Sequence, residues 1–109
     1  MNREKYEALQ KENFETADYY GLEHTMMQTQ EEAAELIQAI SKYYRAVGHG
    51  MPAGISAGEA RKLILEEAAD VQIMLDQLRH LFNFFGPEYD DRVSYKIHRA
   101  TERRRQYGE

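Results

Sequence analysis

The chain contains no cysteine, which excludes disulfides, thiolate metal sites and a cysteine nucleophile. That composition is compatible with a reducing cytoplasm, the compartment expected here. Only two prolines occur, Pro52 and Pro87, and both fall in predicted breaks. Runs of β-branched residues are missing and strand-like alternation is weak, so the chain reads as all-α. No apolar run approaches the roughly 20 residues needed to span a bilayer, so no membrane partner is expected. The N-terminus, Met1-Asn2-Arg3-Glu4-Lys5, starts polar and lacks the apolar segment of a secretory signal. No closely spaced histidine pair is present, which disfavours zinc. None of His24, His49, His80 and His98 has a glutamate three residues before it, so the Glu-x-x-His pairs of a di-iron bundle are missing too.

What is present fits one domain, residues 1–109. Its core is necessarily thin at this length, which favours extra burial by oligomerisation. The net charge of −5 is unevenly spread. Residues 1–95 hold nine Lys/Arg against 17 Asp/Glu, a balance of −8, whereas residues 96–109 carry +3. An acidic body repels duplex phosphates, so no nucleic-acid partner is expected. It suits cations, and anionic substrates that arrive with them.

Four helices are predicted. The first runs from about Arg3 to Tyr20, with Asn2 as N-cap and Gly21 as its break. The second runs from about Glu23 to Val47 and carries the stripe Met26, Ala33, Leu36, Ile37, Ile40, Tyr44 and Val47. A loop rich in glycine follows. Ser56-Ala57-Gly58-Glu59 has the form of a capping box and opens a third helix to about Phe85, where Gly86-Pro87 stops it. The fourth covers about Glu88 to Gln106. The expected architecture is an antiparallel four-helix bundle. The broadly apolar end of the third helix, Leu81, Phe82, Phe84 and Phe85, is a candidate subunit interface.

One internal similarity carries chemistry. Glu31-Glu32-Ala33-Ala34-Glu35-Leu36 is echoed by Glu66-Glu67-Ala68-Ala69-Asp70-Val71, each copy inside a long predicted helix. Acidic pairs three apart also occur at Glu4/Glu7, Glu12/Glu15, Glu15/Asp18 and Glu88/Asp91, where a solvated helix face explains them. The two repeated copies point elsewhere. At about 100° per residue, Glu67 falls within the arc of Ile64, Val71 and Leu75, and Asp70 lies at its edge. Glu32 borders the stripe of Leu36 and Ile40, with Glu35 further out. Four carboxylates beside an apolar interior repel one another and lose hydration. No lysine or arginine occupies the adjoining stripe positions. A divalent cation is the natural compensation, and Mg²⁺ takes such hard oxygen ligands. The competing account is that these acids face solvent, or that some are protonated.

At these residues the sequence resembles the MazG-like, all-α nucleoside-triphosphate pyrophosphohydrolase superfamily. Its pattern E-E-x-x-E, then E-x-x-D on the next long helix, reads here as Glu31-Glu32-x-x-Glu35 and Glu67-x-x-Asp70. Tyr20-Gly21 and Lys96-Ile97-x-Arg99 fit phage-type and Firmicute-type members, and the similarity spans about residues 18–105. The resemblance implies hydrolysis of an NTP or dNTP to the monophosphate and pyrophosphate, a house-cleaning hydrolase activity. It implies Mg²⁺ held by Glu32, Glu35, Glu67 and Asp70, and a homodimer or homotetramer. A phosphoribosyl-ATP pyrophosphohydrolase of the same superfamily is the alternative substrate branch. A catalytically silent helical interaction module is the alternative from another class.

Within that framework one of the four carboxylates, or neighbouring Glu31, is expected to accept the proton of the attacking water. Lys96, Arg99 and Arg103 recur at i, i+3 and i+7 and share one face of the last helix, where they are candidates to grip phosphates. A cationic helix C-terminus complementing its own dipole is the plainer reading. Gln28, one turn before Glu32, is a candidate contact to a base or sugar.

Overall fold

The computed structural model describes every residue except Phe85 and Glu109. Among the described residues there are helices and no strands: α1 (Arg3–Ala46), α2 (Ala57–Leu81) and α3 (Pro87–Tyr107). None is long and apolar enough to cross a membrane.

Asn2 caps α1, its side chain accepting the Lys5 N–H at 2.8 Å. The first two predicted helices form one element that bends at Gly21, whose φ of 86° and ψ of 172° are non-helical. Such a conformation is essentially reserved for glycine, so the expected break is real but leaves no loop. α1 therefore has two arms, residues 3–20 and 22–46. It ends with Gly48 in the positive-φ region, the Gly48 N–H reaching Arg45 O and the His49 N–H reaching Tyr44 O. This is the double closure of a Schellman ending, and the His49 ring stacks on Tyr44 at 4.2 Å.

α2 begins with the expected capping box. Ser56 Oγ accepts from the Glu59 N–H at 3.1 Å, and Glu59 Oε1 accepts from the Ser56 N–H at 3.4 Å. The helix stops earlier than the sequence suggested, at Leu81 instead of about Phe85, a residue outside those described. Asn83 takes a φ of 59°, a left-handed position asparagine tolerates better than most residues. Its N–H bonds His80 O while the Phe84 N–H bonds Arg79 O at 2.8 Å. A second Schellman ending built on Asn83 thus precedes the Gly86-Pro87 stop.

Polar side chains set the register between α1 and α2. The Asn13 amide donates to Ile73 O at 3.1 Å and accepts from the buried Gln77 at 2.8 Å. His80 Nε2 lies 2.8 Å from Asp18 Oδ1, and its ring stacks on Phe14. The first arm therefore climbs α2 toward its C-terminus. The second arm descends, bringing Glu32 and Glu35 beside Glu67 before the loop 47–56 returns the chain to α2.

The interior is built from small residues. Ala17, Ala39, Ala60 and Met74 are the buried apolar side chains, and Thr25 and Gln77 the buried polar ones. Much of the predicted core stripe is uncovered: Ile37 is 68% exposed, Ile40 50%, Tyr44 59% and Leu75 41%. Among the described residues no Cα of α3 comes within 8 Å of a Cα of α1 or α2. The expected packing of the last helix onto the others is thus not present within one chain. Side chains bridge at its base, where the Arg79 guanidinium lies 4.2 Å from the centre of the Tyr89 ring. The stripe of Val93, Ile97 and Ala100 on α3 is exposed.

A methyl at Gly21 would meet no atom within 4 Å, so the cost of Gly21→Ala is purely one of backbone conformation. That variant is expected to lose about 1–3 kcal/mol in urea unfolding. An unchanged midpoint would show that the bend is not held at a positive φ.

Candidate metal centre

Each copy of the acidic repeat lies on one of two adjacent helix segments. Glu32 and Glu35 stand on the second arm of α1, Glu67 and Asp70 on α2. Antiparallel packing brings one carboxylate oxygen from each of Glu32, Glu35 and Glu67 within 4.8 Å of the others. Glu32 and Glu67 are half-buried, whereas Glu35 and Asp70 are exposed. The inner and outer members of each pair follow the order that helical spacing gave.

The two inner acids each carry an unsatisfied atom. Glu32 Oε1 accepts from the Gln28 amide at 2.8 Å, but Glu32 Oε2 is buried and has no hydrogen-bond partner. Glu67 Oε2 is buried and partnerless as well. Buried acceptors in this condition are uncommon and costly. Among the described residues no lysine, arginine or histidine forms an ion pair with any of the four acids.

The protonation equilibria follow from this crowding. At Glu32 the Gln28 hydrogen bond is the largest single influence and favours the charged form. Burial, the charges of Glu35 and Asp70 and a hydrogen bond with Glu35 together outweigh it, so the carboxyl is held above its ordinary value. Glu35 is raised chiefly by its hydrogen bond with Glu67, then by the charge of Glu67, partial burial and Asp70, with a hydrogen bond to Glu32 acting the other way. Asp70 thus belongs to the electrostatic group although it is not among the three clustered oxygens.

The remaining candidates sit elsewhere. Glu31 is exposed beside the cluster in sequence. Gln28, considered for a base or sugar, is engaged with Glu32. Lys96, Arg99 and Arg103 are exposed on α3, which does not pack on the helices that carry the acids. Sequence reasoning did not find the Asn13–Gln77 and Asp18–His80 contacts. Single polar residues on helices carry no local mark of a partner some 60 positions away. A groove of about 500 Å³ between the first arm and the end of α2 is lined by Tyr6, Gln10, Phe14, Asp18, Asp76 and Arg79, among others, and shares no residue with the acidic cluster.

Oxygen-only donors from two helices, two of them buried and unsatisfied, match the preference of Mg²⁺. Comparisons of the chain with protein-family profiles, with curated proteins and with solved structures return no match.

The raised carboxyls have a consequence for stability. Glu32 and Glu35 bind a proton more tightly folded than unfolded. Their contribution is fully present below the ordinary glutamate range and is lost as pH rises through the raised values. In EDTA, Glu35→Gln is therefore expected to weaken the fall in melting temperature from mildly acidic to neutral pH and to melt above the parent at pH 7.5. Superimposable melting–pH curves for the two proteins would refute the coupling.

Proposed function

We propose that the chain is a MazG-like, Mg²⁺-dependent nucleoside-triphosphate pyrophosphohydrolase that converts an NTP or dNTP to the monophosphate and pyrophosphate. The observation that carries this reading is the pair of buried, partnerless oxygens, Glu32 Oε2 and Glu67 Oε2, in a carboxylate cluster that forms no ion pair among the described residues. The repeated E-E-A-A-[ED] motif and its resemblance to the superfamily support it from the sequence.

In the reaction the oxygen of a water bonds to the α-phosphorus, the bond to the bridging oxygen of the β-phosphate breaks, and pyrophosphate departs. Bound Mg²⁺ supplies charge neutralisation, a more acidic water and alignment of the reacting groups. Glu32, Glu35, Glu67 and Asp70 hold it. Gln28 donates to Glu32 Oε1 and so restrains the Glu32 carboxylate. One of the cluster carboxylates, or exposed Glu31, takes the proton of the water. Lys96, Arg99 and Arg103 supply phosphate contacts from α3. The working unit is a homodimer or homotetramer, in which helices of different chains close the four-helix bundle.

The test is pyrophosphate release from a panel of NTPs, dNTPs and phosphoribosyl-ATP, with Mg²⁺ and with EDTA. Release is expected only with Mg²⁺. Glu35→Gln and Asp70→Asn are expected to lose roughly a hundredfold or more, the counterpart of several kcal/mol of transition-state stabilisation. Full Mg²⁺-dependent turnover in both variants would remove the assignment.

A further inference from the structure

The second arm of α1 carries a polar column beside its apolar stripe. Gln28, Glu35 and Lys42 recur every seven residues, a spacing that drifts by only about 20° per step on a helix. Glu35 and Asp70 each lie about 60° from the inner acid of their own helix, in the same sense of rotation. In an antiparallel pair, offsets of equal sign project from the same flank, so the column looks out where the outer acids do. Gln28 stands one turn before Glu32 and donates to it at 2.8 Å. Glu35 belongs to the cluster. Lys42 stands two turns beyond Glu35, about 10.5 Å along the axis.

Lys42 differs from the other lysines. Of the five in the chain, Lys5, Lys11, Lys62 and Lys96 are exposed and Lys42 alone is half-buried. Covering a lysine costs rotamer freedom and hydration, and a carboxylate partner is the usual compensation. Lys42 has none: it makes no ion pair among the described residues. None of Gln38, Ala39, Arg45 and Ala46, three or four positions away, is acidic, so no pair along the helix is available. Counting outward from the contact of Glu32 with Glu67, Glu59 is about level with residue 40, but its carboxylate accepts from the Ser56 hydroxyl at 3.0 Å. The ammonium of Lys42 is not among the partnerless atoms sealed from solvent. Its stem is thus held against the seam while its charged head faces the open flank. Side chains on a helix lean toward its N-terminus, which for Lys42 is the direction of Glu35.

We propose that Lys42 binds the terminal phosphates of the triphosphate, so that the substrate lies along the second arm with its nucleoside toward the Gly21 bend and its leaving pyrophosphate toward the loop 47–56. This rests on the reaction proposed above, to which it gives a direction. With the α-phosphate at the cluster, the β- and γ-phosphoryl groups extend toward Lys42, and the flexible four-carbon stem spans the rest of the gap. On the other side of the cluster Gln28 presents an amide where the sugar begins. When the bond from the α-phosphorus to the bridging oxygen breaks, its electron pair leaves with the pyrophosphate, and the water's proton goes to a cluster carboxylate. An ammonium at the departing end stabilises the charge that gathers there. Lys42 stands on the same helix as Glu35 and is in place within one chain, whereas the basic residues of α3 lie on a helix that does not pack on this arm.

The experiment reads binding, by calorimetric titration of the whole chain in Mg²⁺. One probe is the uncleavable α,β-methylene analogue of the triphosphate that releases pyrophosphate fastest in the panel above. The other is the matching monophosphate. Lys42→Ala is expected to bind the triphosphate analogue roughly tenfold more weakly or worse, the loss of one charge-assisted hydrogen bond, and the monophosphate as the parent does. Lys42→Arg is expected to restore most of the difference. Arg61→Ala removes the same charge from α2 at a similar distance along the seam, but about 120° from Glu67 in the opposite sense, and is expected to bind both probes like the parent. Unchanged binding of the analogue by Lys42→Ala would overturn the assignment, as would an equal loss for the monophosphate or for Arg61→Ala. Those outcomes leave the reaction standing if the parent turns over. A parent that neither releases pyrophosphate nor binds any α,β-methylene triphosphate would instead remove the reaction, and this direction with it.

Discussion

Mutual repulsion of carboxylates across a helix seam is the constraint around which this molecule is arranged. The second arm of α1 packs on α2 at a register that puts glutamates of both helices in contact. Two of their oxygens are withdrawn from water without a protein donor. Apolar packing cannot relieve this, and a basic side chain within the seam would have neutralised it. The chain instead answers with one amide, Gln28, and with carboxyls that retain protons more readily than usual. The arrangement costs stability in the free protein, because buried acceptors without donors and neighbouring like charges both disfavour the folded state.

The same seam explains the choice of residues around it. Alanine supplies three of the buried apolar side chains, Ala17, Ala39 and Ala60, and small contact residues allow short distances between helix axes. Close axes hold long glutamates in a narrow space, but they also limit the apolar volume that three helical arms enclose. Polar contacts at Asn13, Gln77, Asp18 and His80 then fix the register of the first arm. A catalytic or binding geometry asks for such definition more than for bulk hydrophobic burial.

Much of the architecture was legible from the sequence, because it is carried by local signals. Asn2, the Ser56–Glu59 box and Gly21 mark their own positions by backbone chemistry, and each performs that role here. The inner and outer order of the four acids followed from helical spacing. Two things were not legible. The end of α2 depends on Asn83 entering the left-handed region ahead of the more conspicuous Gly86-Pro87. Periodicity says that a stripe is apolar but not what covers it. Ile37 and Ile40 have the pattern of core residues and are open in the single chain, and α3 carries an amphipathic pattern without lying on its own body.

The two closures that flank residues 47–56 have a further consequence. α1 ends in hydrogen bonds drawn from Gly48 and His49, and α2 starts with a reciprocal pair between Ser56 and Glu59. Each helix is thus sealed by its own neighbours and asks nothing of the chain between except that it span the gap. Lengthening such a connection costs only about 0.6 kcal/mol per doubling. This turn is therefore the position at which evolution or an engineer can graft additional sequence, a lid or an entire module, at the end of the seam without altering the spacing of the acids within it.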